Sequence, residues 1–169
     1  CSLRSAIERI TESAVVNLAR EAPADLARLG LQSPRLALAA LNPHAGDGGL
    51  FGEEEIRILA PAVRRARREG LDLCGPVPAD AVFHLAHSGH YDAVLSLFHD
   101  QGHIAAKTLD FHRTISLTFG LPFLRTSVDH GTALDLAGKG RADSTSMEEA
   151  VIAAAHWGPT WRKQESSFR

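Results

Sequence analysis

Long apolar runs are missing from this sequence. Nothing approaches the roughly 20 consecutive apolar residues that cross a bilayer, and the amphipathic start lacks the basic region and apolar core of a secretion signal. No membrane partner is expected, and the protein should be soluble. Cysteine is scarce: Cys1 and Cys74 are the only two, without the spacing of a thiolate zinc site or the density of a disulfide scaffold, so a reducing cytoplasm is the expected compartment. A charge excess is absent too. With 18 Lys and Arg against 20 Asp and Glu, no broad cationic field gathers nucleic acid, and any anionic ligand must be held by a local site. At 169 residues a second full domain would not fit, and one core is expected. Internal repeats and low-complexity linkers are also lacking. A chain that opens on Cys1 rather than Met is expected to be a fragment or to have a processed start.

What is present alternates between helical and strand patterns. Leu3, Ile7, Ile10, Ala14, Val15 and Leu18 recur at helical spacing, with Thr11 placed to cap the second stretch, which predicts one interrupted helix or two in series. Leu36 to Leu41 is a continuous apolar run suited to a strand covered on both faces, ending at Asn42-Pro43. From Glu53 the pattern is helical again, acidic at its start and basic through Arg64, Arg65, Arg67 and Arg68 before Gly70, matching the helix dipole; Pro61 should kink it. A short apolar segment, Leu71 to Cys74, leads into Gly75-Pro76. Ala79 to Ala86 reads as a helix and Ala93 to Phe98 as a second buried strand. Thr114 to Thr118 alternates like a half-exposed strand, and Ser146 to Ala155 like a helix with a Ser cap. An α/β fold with a sheet covered by helices follows.

Both buried strands lead into polar loops that carry histidine, where ligands gather on such folds. Asn42-Pro-His44-Ala-Gly-Asp47-Gly-Gly49 follows the first, and its glycines let backbone approach a ligand closely. His99-Asp100-Gln101-Gly102-His103 follows the second. A neutral imidazole is the commonest nitrogen ligand of a transition metal, and a carboxylate beside it can orient it. For a single loop histidine, a bond to turn backbone is the better reading; for two in matching positions, metal ligation is. His84, His87 and His90 are expected on the surface. Two imidazoles remain fewer than the three protein ligands of a catalytic zinc.

Taken together, Leu41 to Gly49, Gly75-Pro-Val-Pro-Ala-Asp80, His99 to Gly102, Lys107, Gly120-Leu-Pro-Phe-Leu-Arg125-Thr-Ser127 and Asp129-His-Gly-Thr-Ala133 resemble the 4-hydroxythreonine-4-phosphate dehydrogenase family. The strings occur in order across nearly the whole chain. The resemblance implies an isocitrate/isopropylmalate dehydrogenase-like three-layer α/β fold, of which residues 1–169 would be the C-terminal portion with the N-terminal half absent. It implies a homodimer with shared active sites, NAD or NADP as oxidant, and a divalent metal: zinc first, magnesium or cobalt as alternatives. His44 and His99 would be metal ligands, a third histidine lying upstream of Cys1. Lys107, Ser116 and Arg125 would bind a small phosphorylated hydroxy acid, Lys107 and Asp100 would serve catalysis, and Asp80 would support the metal site. His130, Gly131, Thr132, Ala133 and Asp135 are similar to the cofactor-binding loop of the wider superfamily; the glycine fingerprint of a Rossmann domain is absent.

Two departures bear on substrate. Ser116 stands where the pyridoxine-biosynthesis enzymes carry Asn, and His103 where they carry an apolar residue, which resembles the branch acting on 4-phospho-D-threonate or 4-phospho-D-erythronate. The implied reaction oxidises a secondary alcohol and releases carbon dioxide. Two other readings stay open: a metal-dependent hydrolase using His44, His99 and Asp100 around a water, and a non-catalytic fragment.

Overall fold

Side chains of the first strand alternate between two covered faces. In the computed structural model, which describes residues 1–165 and side chains through residue 161, β1 (Leu36–Ala39) is buried at every position. Leu36 and Leu38 face one way, Ala37 and Ala39 the other, as strand pleating requires. The leucines pack with Val16 and Ala19 of α2 (Glu12–Arg28) and with Ala62, Val63 and Ala66 of α3 (Ala60–Arg68). The alanines leave room for Val82 and Phe83 of α4 (Ala79–His87) on the opposite face. Helices thus cover both faces of the sheet.

That sheet is parallel. β1 lies between β2 (Leu73–Val77) and β3 (Ala93–Leu95), in the order β2-β1-β3. Strand β2 continues through Gly75-Pro76, which an edge strand tolerates because a proline there leaves no inner hydrogen bond unmade. Gly75 is required by close approach: a Cβ would lie 2.6 Å from the Leu38 carbonyl oxygen. The first helical stretch resolves into two helices in series, α1 (Leu3–Glu8) and α2, with Thr11 Oγ1 capping the second at 3.2 Å from Ala14 N.

Several expectations need correction. The helix expected from Glu53 contains a π-helical turn, Glu55–Leu59, directly before α3. Pro61 has no N–H to return to Arg57 and its ring crowds that carbonyl, so the wider turn takes up the mismatch. Strand β3 ends at Leu95 rather than Phe98, and His99 to His103 is no loop: it is the opening of α5 (His99–Leu109). The expected single core is also replaced by two compact units, Cys1–Ala105 and a second from Ala106 onward.

In the second unit helix and strand do not alternate. β4 (Ile115–Thr118) pairs antiparallel with β5 (Arg125–Val128), from Ile115↔Val128 to Thr118↔Arg125. Helix α6 (Thr145–Glu165) buries Ala150, Ala153 and Trp161, and Trp161 stacks on Phe119. Ser146 is not its cap. It lies inside the helix, is buried, and donates to the His112 carbonyl at 2.7 Å, while the Ser144 carbonyl accepts the first helical N–H groups.

Candidate active site

The chain leaves β1 in an uncommon conformation. Five consecutive residues, His44 (φ 52°, ψ 31°), Ala45 (53°, 38°), Gly46 (78°, −8°), Asp47 (42°, 58°) and Gly48 (67°, 16°), are left-handed. For an L-residue this costs roughly 1–2 kcal/mol. With three non-glycine residues in the run, the turn stores roughly 3–6 kcal/mol that its surroundings must offset.

A buried carboxylate holds the chain where it enters the turn. Glu55, 3% exposed, accepts the Leu41 N–H at 2.8 Å and the Asn42 N–H at 2.7 Å on Oε1, and Asn42 Nδ2 at 2.8 Å on Oε2. Glu54 Oε2 accepts from the same Asn42 amide at 2.7 Å. Burial pushes the Glu55 carboxyl upward, but hydrogen bonds from the Asn42 backbone and side chain, its own N–H and Leu41 outweigh burial and hold it below the usual carboxylate range. Gly46 packs directly on this group: a Cβ there would lie 2.9 Å from Glu55 Oε2 and 3.1 Å from the Gly52 carbonyl oxygen.

Beyond the C-terminal ends of the three parallel strands lies a pocket of about 620 Å³. Each strand delivers residues to it. The turn after β1 supplies Asn42, Pro43 and His44, α4 supplies Asp80 and Phe83, and α5 supplies Asp100 and Gln101. His44 is exposed, its ring centroid 6.0 Å from that of Phe51. Gln101 ties two strand exits together, accepting the Leu97 N–H at 2.8 Å and donating to the Ala40 carbonyl at 2.7 Å. This bridge brings α5 close over the strand ends, where a Cβ on Gly102 would meet Ser96 Oγ at 2.9 Å. Crowding of this kind favours glycine there.

His99 is exposed at the start of α5 and is not among the residues lining that pocket. Its Nδ1 lies 2.7 Å from Asp100 Oδ1, and its ring stacks on His103 with centroids 4.0 Å apart. Among the described residues no group of three or more His, Cys, Asp or Glu side chains is arranged to hold a metal ion. His84, His87 and His90 are exposed.

The second unit holds the remaining candidates. Lys107 Nζ donates to the Asp129 carbonyl at 2.5 Å and lies 3.4 Å from its carboxylate Oδ2, while Ser116 Oγ donates to Oδ1 at 2.6 Å. Asp129, with its side chain 8% exposed, therefore fixes both. Arg125 is exposed at the start of β5 and donates to Thr118 Oγ1 at 3.0 Å. His130, Gly131, Thr132, Ala133 and Asp135 form an exposed stretch in which Ala133 is left-handed (φ 48°). A Cβ on Gly131 would meet open space within the chain.

Three residues that organise these groups carry no role in the sequence reading. Glu55 reads there only as part of an acidic helix start, although three consecutive acidic residues directly after a glycine-rich loop were an available signal. Gln101 and Asp129 lie inside the strings already singled out, but nothing local marks which partners they reach.

A family model described as "Pyridoxal phosphate biosynthetic protein PdxA" matches residues 1–154. A protein of Symbiobacterium thermophilum named "Putative D-threonate 4-phosphate dehydrogenase" is 55% identical over 162 residues, covering 96% of this chain and 48% of the relative. A protein of the same name from Halalkalibacterium halodurans is 55% identical over 158 residues, covering 94% and 47%. The crystal structure of a 4-hydroxythreonine-4-phosphate dehydrogenase from Klebsiella pneumoniae superposes with a TM-score of 0.84 at 46% identity, over 94% of this chain and 48% of that one. The chain thus spans about half the length of the relatives it matches.

Proposed function

The chain belongs to the PdxA family, and on that premise we propose that it is the C-terminal part of a metal-dependent, NAD- or NADP-linked dehydrogenase. The substrate is a small 4-phosphorylated hydroxy acid, 4-phospho-D-threonate or 4-phospho-D-erythronate before 4-hydroxythreonine 4-phosphate, oxidised at a secondary alcohol with loss of carbon dioxide. The α/β fold is the isocitrate/isopropylmalate dehydrogenase-like one that the family shares. The observation that carries the reading is the pocket at the parallel strand ends, where His44, Asp80 and Asp100 come together. The relatives' names agree with it in reaction class.

In this reading His44 and His99 are the metal-holding imidazoles. Their donor chemistry fits a divalent cation such as zinc, with magnesium or cobalt as alternatives. The described residues offer no group of three donors, so a further ligand has to come from outside them. A bound ion would acidify a coordinated hydroxyl, as it lowers the pKa of bound water from about 15.7 to about 7. With the His99 Nδ1–H donated to Asp100, Nε2 keeps its lone pair for a ligand, which is how a neighbouring carboxylate fixes a tautomer. Asp80 adds negative charge to the same pocket. Lys107 and Ser116, held together by Asp129, offer an ammonium and a hydroxyl to the substrate's anionic end, with Lys107 also able to pass a proton. Arg125 presents a planar fork suited to phosphate. The stretch from His130 to Asp135 offers backbone to the dinucleotide. The protein works as a homodimer in the cytoplasm; no helix among the described residues is long and apolar enough to cross a membrane.

The test is spectrophotometric. The chain, alone and mixed with a fragment supplying the half of its relatives that it does not cover, is incubated with Zn²⁺, Mg²⁺ or Co²⁺, oxidised cofactor and each phosphorylated hydroxy acid. Growth of reduced-nicotinamide absorbance with matching carbon dioxide release, abolished by a chelator, is the expected result. Phosphate release without cofactor would instead establish a hydrolase and overturn the proposal.

A further inference from the structure

We propose that Glu55 is a positioning residue for His44: its buried carboxylate fixes the left-handed turn that aims the imidazole at the pocket. The inference rests on the reading that His44 is a metal-holding group.

Two observations point to this role. Leu41 and Asn42 lie just past the end of β1, and there Glu55 receives both of their N–H groups together with the Asn42 side chain. The direction in which the chain leaves the sheet is thereby set two residues before His44. In addition, the turn packs directly on the carboxylate. Gly46 is buried, and its α-carbon comes so close that an added Cβ would sit 2.9 Å from Glu55 Oε2. A methylene more or less on either side would move the turn. The π-helical turn contributes as well. Glu55 opens it, and a π turn at such a position is a recurrent mark of functional sites.

The choice of a carboxylate is informative. An isolated buried charge is unfavourable, and a neutral acceptor could satisfy a pair of backbone N–H groups. A carboxylate accepts on both oxygens at once and makes the stronger, charge-assisted bonds. Here both oxygens are used: Oε1 on the backbone that precedes the turn, and Oε2 on the Asn42 amide and against Gly46. Glu55→Gln keeps the shape and one acceptor oxygen, but turns an NH₂ toward Asn42 Nδ2, donor against donor. The variant therefore separates the carboxylate's role from simple space filling.

The experiment uses the whole chain, mixed with a fragment supplying the half of its relatives that it does not cover, and Co²⁺ alone as the metal probe. Wild type, Glu55→Gln, Glu55→Ala and His44→Ala are compared by Co²⁺ titration and by NMR of the backbone and imidazole resonances of residues 41–49. Thermal melts ensure that each is measured folded. A group that orients a ligand typically changes metal affinity by about 10–100-fold when removed. Glu55→Gln should weaken Co²⁺ binding by about tenfold and shift the resonances of His44 to Gly48, with Glu55→Ala moving both further. Affinity at the wild-type level in Glu55→Gln, when His44→Ala weakens binding, would overturn the proposal and leave the metal reading intact. Co²⁺ binding indifferent to His44→Ala would remove the metal reading; unchanged His44 resonances in Glu55→Gln would then overturn the positioning role too, and shifted ones would uphold it.

Discussion

Replacing Gly46 with alanine is the sharpest test of how the turn after β1 is held, because Gly48 supplies an internal control. Both glycines are left-handed, φ 78° and 67°. An alanine at either therefore costs roughly 1–2 kcal/mol of backbone strain, against a gain of about 0.4–1 kcal/mol from restricting the unfolded chain. For Gly48, whose added Cβ would meet nothing within 4 Å, the sum is a loss of up to about 1.6 kcal/mol. At Gly46 the Cβ would also press on Glu55 Oε2 at 2.9 Å and on the Gly52 carbonyl oxygen at 3.1 Å. Relieving such overpacking typically costs a further 1–3 kcal/mol or so. Gly46→Ala should therefore be the more destabilising by about 1–3 kcal/mol. Urea unfolding followed by circular dichroism measures both at constant slope, and a double-mutant cycle with Glu55→Ala should recover part of the Gly46 loss. Equal losses in the two variants, or no coupling to position 55, would refute the claim that the turn rests on the carboxylate.

Three further outcomes are expected. In the folded chain the Arg35 side chain, then its backbone N–H, hold the Asp92 carboxyl at about 2, below the ordinary 3.8. A depressed carboxyl stabilises the fold fully above its unfolded value and loses that contribution as pH falls through the folded one. Melting temperatures of wild type should thus drop more steeply from about pH 5 toward pH 2 than those of Asp92→Asn. Leu38→Ala removes a side chain 1% exposed in the first unit's core and should cost about 2–5 kcal/mol in chemical denaturation. Lys107→Met and Asp129→Asn act on one network, so the double variant should lose less stability than the two single variants added together.

How much of this was readable in advance differs from residue to residue. Thr11, β1, α4 and the surface histidines follow from local pattern, since a cap, a continuous apolar run or an amphipathic stripe records its own environment. The opening of α5 does not: a Gly-containing, His-flanked string reads as a loop until Gln101 is seen bridging Leu97 and Ala40. The strand through Gly75-Pro76 was hidden for a similar reason, because its pairing with β1 outweighs the local turn preference of that dipeptide. For β5, nothing local marks that it folds back on β4 rather than joining the parallel strands.

By itself the sequence determined the α/β class, the family and the chemical types available at the site, because those are carried by residue identity and by periodicity within a few residues of chain. Only the tertiary structure decided that the loop after β1 is left-handed, that Glu55 holds it, and that one carboxylate, Asp129, serves both Lys107 and Ser116. These are contacts between segments distant in sequence, and a side chain's partners across such a distance depend on how strands pair and helices pack, which no local pattern encodes.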